Sequence, residues 1–253
     1  MVGVVLLRIV DSAQLDAPSW DGEGVEVLLQ RRSKIVPHPQ LYCPPCGAIE
    51  AGEKRVAYDT SAAPDERTLA LWHAALRELI EEAGGGTPPR GEATTSFAAR
   101  AYPPDPPATY KDVALPPELL TPPSATTVFW LGDAAAREPR AGRGQWFAHV
   151  VADGAWATDW QPRALPDWRD EIDETCRRKN HRWGYVWADL KRVFDEPDAA
   201  VPSRGGSGGL VPWLATLELF SGAGKAQLLA VVRQAAAARR YSRRARAAMD
   251  VAA

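Results

Sequence analysis

A helix that ends on three consecutive glycines and crowds three glutamates into its last two turns strongly limits how this chain can fold. Residues 75–86 read ALRELIEEAGGG, and the helical pattern extends back to Pro64. Proline suits a first turn and glycine ends a helix, so the sequence predicts one long helix over Pro64–Ala83. At about 100° per residue, Leu69, Trp72, Leu76, Leu79, Ile80 and Ala83 share one arc, which predicts a core-facing stripe. Glu78, Glu81 and Glu82 fall on the opposite arc. Like charges three and four apart cost about 0.2–0.5 kcal/mol per pair, and acids near a helix C-terminus oppose its macrodipole. Two readings stay open: water solvates the acidic face, or a cation neutralises it. Mg2+ suits the second reading, because it takes a few carboxylates and keeps positions for phosphate oxygens.

The remainder of the chain predicts a sheet around that helix. VGVVLLRIV and GVEVLLQRR read as two strands joined by a polar, glycine-containing loop, and the first is too short and lacks the basic leader of a signal peptide. A short strand is expected around Ala48 and Ile49, with further strands in TTVFWLGD, GQWFAHVVADG and WGYVW. Repeated Pro-Pro pairs make residues 102–123 a stiff extended loop. PSRGGSGG at 202–209 has linker composition, and an Ala/Arg-rich helix follows from about Gly224 to Met249. The organisation expected is a domain over 1–200 with a linker and helical extension over 201–253, packed on that same domain.

With 253 residues, a net charge of −2 and no apolar run near the ~20 residues of a membrane span, the composition fits a globular protein with no membrane segment and no bias toward polyanions. Three cysteines suit free thiols in a reducing, cytoplasmic-type compartment. Cys43 and Cys46 form a CPPC pair. Zinc would require two more ligands, which Cys176 and His181 supply only if the fold gathers them; buried free thiols are the plainer reading.

Upstream of the acidic helix, Gly47 is followed after five residues by Glu53, and RELIEEAG closes the helix. Gly47, Glu53, Arg77, Glu78, Leu79, Glu81, Glu82 and Gly84 together resemble the Nudix box. There are two departures. Between Glu53 and Arg77 stand 23 residues where that pattern has seven, expected to bulge as a loop, and Gly85 takes the last apolar position. The resemblance is tight over 41–85 and loose over 1–195. It implies an α/β fold, an α/β/α sandwich with a mixed sheet, and a pyrophosphohydrolase of nucleotide derivatives. It further implies Mg2+, with Mn2+ as a substitute, on Glu78, Glu81 and Glu82, with Glu53, the Gly47 carbonyl and a downstream acid as further ligands. Glu174 is the first choice for that acid and Glu171 the reserve. Arg77 would hold a glutamate by a bidentate pair, or act simply as the i,i+4 partner of Glu81. Glu78 or the downstream acid would serve as general base.

Substrate identity is less constrained. Trp130, Trp146 and Trp183 are candidates to stack on a base, each with a core role as the alternative. Arg239, Arg240, Arg243, Arg244 and Arg246 share one side of the last helix; a solvated face is the plain reading, and a phosphate-tracking stripe would favour capped RNA. Hydrolysis of diphosphoinositol phosphates, a non-catalytic binding module and a prenyl-diphosphate isomerase, the last suggested by VPWLATLELF, complete the alternatives.

Overall fold

The computed structural model describes residues 1–61, 63–84, 144–151, 184–201 and 218–252, with short segments at 95–97, 110–113, 128–130, 162–164, 171–172, 177–178, 181–182 and 209–210. Strands β1 (Val2–Ile9) and β2 (Val25–Arg31) pair antiparallel, as the two apolar runs predict. The chain then forms β3 (Tyr42–Cys43) and β4 (Cys46–Gly47), α1 (Ala51–Ala57) and α2 (Pro64–Ala83). Next come β5 (Thr95–Phe97), β6 (Tyr110–Val113), β7 (Val128–Trp130), β8 (Gln145–Val150), β9 (Arg177–Arg178), β10 (His181–Arg182) and β11 (Tyr185–Asp189). Helices α3 (Leu190–Asp195), α4 (Pro197–Ala200) and α5 (Gly222–Ala252) follow.

The main sheet runs β11-β2-β1-β8-β7, with β3 on β2 and β4 on β1. Only its β1–β8 pairing is parallel, so the sheet is mixed. Strand alternation divides the core between two faces. Val5 and Leu7 of β1, Val25, Val27 and Leu29 of β2, and Trp146, Ala148 and Val150 of β8 pack with Leu228, Val231, Val232, Ala235 and Ala236 of α5. Val4, Leu6, Leu28 and Phe147 point the other way and pack with Trp72, Leu76, Leu79 and Ile80 of α2. The result is an α/β/α sandwich whose C-terminal helix covers one face and whose acidic helix covers the other. No helix among the described residues is long and apolar enough to cross a membrane.

Two local expectations are corrected. The strand placed around Ala48 and Ile49 lies just upstream, at Cys46–Gly47, where Gly3 and Val2 pair with it. Ala48 leaves the sheet, and its carbonyl accepts from Arg77 instead. The insertion between Glu53 and Arg77 is not simply a loop: it begins with α1, which packs Val56 and Ala57 into the α2-side core. The 102–123 loop outside 110–113, the linker at 202–208 and residues 211–217 of VPWLATLELF lie outside the described residues.

Candidate active site

Helix α2 sets Arg77, Glu78, Glu81 and Glu82 in its last two turns, and the sheet covers them. All four are buried, Glu81 and Glu82 being 2% and 3% exposed. The solvated-face reading therefore fails. The helix is buried on both arcs because β2, the β3–β4 turn and β11 close over the side that periodicity leaves polar.

Arg77 organises the cluster. Its Nε and Nη2 donate to Glu53 at 2.9 and 3.1 Å, a bidentate pair, and Nη2 also donates to the Ala48 carbonyl at 2.8 Å. Its Nη1 donates to Glu78 Oε1 at 2.9 Å and to Glu81 Oε2 at 3.0 Å. A guanidinium has five N–H donors, and these contacts engage every one. Both sequence expectations for Arg77, the bidentate clamp and the i,i+4 pair, describe its geometry. Helix α1 explains how Glu53 reaches the site across the insertion, since its Oε2 also accepts from the Glu50 amide at 2.8 Å at the helix start. Burial draws the Arg77 pKa down, but the Glu53 hydrogen bond and the charges of Glu78 and Glu81 raise it overall.

Gly47 is where the turn meets the helix. A Cβ there would fall 2.0 Å from Glu78 Oε2, so only glycine lets this carboxylate lie against the backbone. Burial pushes the Glu78 carboxyl up to about 7; Arg77 opposes the rise and Glu81 adds to it. Burial also raises Glu82 well above the ordinary carboxylate range, against hydrogen bonds from Gln30 and the Cys46 amide. Glu82 Oε2 accepts from Gln30 Nε2 and, at 2.8 Å, from Cys46 N–H. Tyr185 Oη donates to the Glu82 main-chain carbonyl from β11. Sequence reasoning missed Gln30, Tyr185 and the two backbone groups. Gln30 left one signal: a neutral polar side chain two residues past Leu28, on the face that packs α2.

The carboxylates turn toward Arg77, Gln30 and Cys46, and among the described residues no three His, Cys, Asp or Glu side chains are arranged as metal ligands. In chemistry the cluster fits a hard divalent cation. Its donors are all oxygens: half-buried Glu53 and buried Glu78 and Glu81 share one guanidinium, and buried Glu82 stands in the same last two turns of the helix. Burial is the main cause of the raised Glu78 carboxyl, with Glu81 adding to it, and a divalent ion there would favour the ionised form.

Other expected site residues divide. Glu174, Cys176 and Trp183 lie outside the described residues. Glu171, the reserve, is half-buried, and its carbonyl accepts from Ser33 N–H beside the β2–β3 loop. Trp146 is buried on the α5 side, against Gly3, and serves the core. Cys43 and Cys46 are buried free thiols. Arg239 donates to the Val150 carbonyl at 2.9 Å and to that of Val151, and Arg240 pairs with Asp16, so these two arginines fasten α5 to the domain.

No family model matches the chain, and no curated protein matches it. Among solved structures, the chain is similar to the crystal structure of a NUDIX hydrolase from Alicyclobacillus acidocaldarius, at 17% identity over 87% of this chain and 89% of that one, with a TM-score of 0.39. This is the family that the 41–85 motif resembles. At that TM-score the likeness carries no argument of its own, and the functional reading rests on the residues.

Proposed function

We propose that the chain is a Mg2+-dependent pyrophosphohydrolase of the Nudix type, acting on a diphosphate linkage in a nucleotide or nucleotide derivative. The observation that carries this reading is the burial of Glu78, Glu81 and Glu82 beside half-buried Glu53, with Arg77 as the guanidinium that pairs Glu53, Glu78 and Glu81. A solvated or purely structural acidic face has no need of that arrangement, because each buried carboxylate without a full countercharge opposes folding. Glu78, Glu81 and Glu82 would hold the ion, with Glu53 and the Gly47 carbonyl beside them. When bound, Mg2+ neutralises pyrophosphate oxygens and lowers the pKa of an attacking water.

The chain's own residues prepare that chemistry. Arg77 spends all its donors within the protein, so it fixes carboxylates rather than touching substrate. Its Nη1 holds Glu78 by Oε1, leaving Oε2 as the oxygen to receive a proton from water. General-base work by Glu78 would rest on that free oxygen and on the fixed orientation that Arg77 gives the carboxylate. The sheet and the β3–β4 turn exclude bulk water from the helix side of the cluster, which strengthens each of these interactions.

The test is turnover on a panel of nucleoside triphosphates, dinucleoside polyphosphates, nucleotide sugars, capped RNA and diphosphoinositols with Mg2+. Glu81→Gln and Glu82→Gln are expected to abolish metal-dependent phosphate release while the protein stays folded. Near-wild-type release in both variants would refute the assignment. Prenyl-diphosphate isomerisation and a non-catalytic role predict no phosphate release from any member of the panel.

A further inference from the structure

We propose that Gln30 is a positioning residue of the acidic site: its amide N–H aims Glu82, and its carbonyl accepts a hydrogen bond from the water shell of the bound ion. The inference rests on the metal-dependent reading above and adds to it a residue outside the Gly47–Gly84 motif. Gln30 is fully buried on β2, in register with Cys43 of β3 and Tyr185 of β11. Its Nε2 donates to Glu82 Oε2, the same oxygen that takes the Cys46 amide. Two donors on one carboxylate oxygen set the torsion of the side chain, and among the described residues they leave Oε1 uncommitted.

The other end of the amide has no role in a purely structural account. Gln30 Oε1 is buried and, among the described residues, has no hydrogen-bond partner. With Glu82 ionised, as a bound cation requires, turning the amide over does not help, because Oε1 would then face a carboxylate oxygen. A buried carbonyl with no donor carries its whole desolvation cost. An apolar side chain of the same size would avoid that cost, as Leu28 does on the same face of β2. Glutamine makes sense here if a donor arrives with the ligand. Mg2+ gives up its waters reluctantly and usually keeps several, and their protons need acceptors near the ligating carboxylates. Gln30 Oε1 belongs to the same amide whose Nε2 donates to Glu82. Groups that orient metal ligands in this way typically alter metal affinity or activity about 10–100-fold when removed.

The experiment uses the full chain and Gln30→Met, which keeps the volume and removes both polar atoms, with Gln30→Leu as a second variant. Mg2+ alone is titrated by calorimetry and by melting temperature, and turnover is measured on the best substrate of the panel. The metal-free variants are expected to stay folded, the loss of the orphaned carbonyl offsetting the loss of the Nε2 bond to Glu82. Mg2+ affinity is expected to fall about 10–100-fold, and kcat is expected to fall while KM stays within about twofold. Wild-type Mg2+ affinity in Gln30→Met overturns the proposal. Loss of folding in both variants also overturns it, by making Gln30 structural. If the wild-type protein itself ignores Mg2+, the metal-dependent reading fails and this inference falls with it; a wild-type response matched by both variants sinks this inference alone.

Discussion

Arg77 shows how one residue can decide the state of four others. All five of its N–H groups are engaged, and they hold Glu53, Glu78 and Glu81 in fixed relation while tying α2 to the Ala48 backbone. Burial nonetheless lifts the Glu78 carboxyl from 4.5 to about 7, with Arg77 opposing the rise and Glu81 adding to it. The folded, metal-free protein thus keeps a proton that the unfolded chain releases near pH 4.5. That contribution to stability is complete below pH 4.5 and is lost as pH rises through about 7. Glu82 is shifted in the same direction and adds to the trend. The expected outcome is that metal-free protein loses on the order of 3 kcal/mol between about pH 4.5 and pH 8. On the proposed function Mg2+ would bind the ionised form, so its stabilisation should grow over the same window. Urea melts with chelator and with Mg2+ at several pH values measure both slopes. A metal increment that is constant with pH would mean that Glu78 is not at the ion.

At the scale of elements, the β3–β4 turn and the end of α2 act as one unit. Gly47 lies so close to Glu78 that a Cβ would come within 2.5 Å of its carboxylate atoms, and those atoms are the far end of a flexible side chain. Gly47→Ala should therefore cost little stability, under about 1 kcal/mol, while pushing Glu78 off Arg77 and cutting turnover at least about tenfold. Gly3→Ala is the contrast. Its Cβ would meet the Trp146 ring at 2.4 Å and the Pro45 carbonyl at 2.7 Å, both held by packing, so it should lose about 1–3 kcal/mol or more. Paired denaturation and turnover measurements distinguish the two, and equal stability losses would contradict the geometry. The same elements show what was legible in the sequence. Pro64 and the glycines bracket α2, and its apolar stripe names its core face, because those signals are local. Helix α1 escaped notice because it is seven residues long and begins at Glu50 with no Ser, Thr, Asn or Asp to mark its cap. Burial of the glutamates was also hidden, since periodicity describes one helix while the cover on its second arc comes from strands distant in sequence. The motif named the acids and Arg77; it could not name Gln30 or Tyr185, which join the cluster only through sheet register.

Across the whole molecule, the sheet separates two cores that serve different ends. One face carries α1 and α2 with the acidic cluster, and the other carries α5, whose leucines, valines and alanines pack on β1, β2 and β8. Helix α5 is also fastened by cations: Arg233 donates to the carbonyls of Ala17, Pro18 and Trp20, and Arg239 to those of Val150 and Val151. Of the expected basic stripe, Arg239 serves the fold in this way and Arg240 pairs with Asp16, while the side chains of Arg243, Arg244 and Arg246 lie outside the described residues. This division yields a prediction about the molecule as a whole. Leu228 is fully buried in the α5-side core, and Leu228→Ala removes that packing without touching α2. A loss of about 2–5 kcal/mol is expected, the range for truncating a buried leucine. Well below the lowered melting temperature, kcat, KM and Mg2+ affinity should match wild type, because the sheet between the cores is close-packed and Gln30, Cys46 and Tyr185 hold the site from their own strands. A fall in turnover that tracks the stability loss at temperatures where the variant is fully folded would show that α5 sets the geometry of the acidic site through the sheet, and would make the C-terminal helix part of the catalytic unit rather than its support.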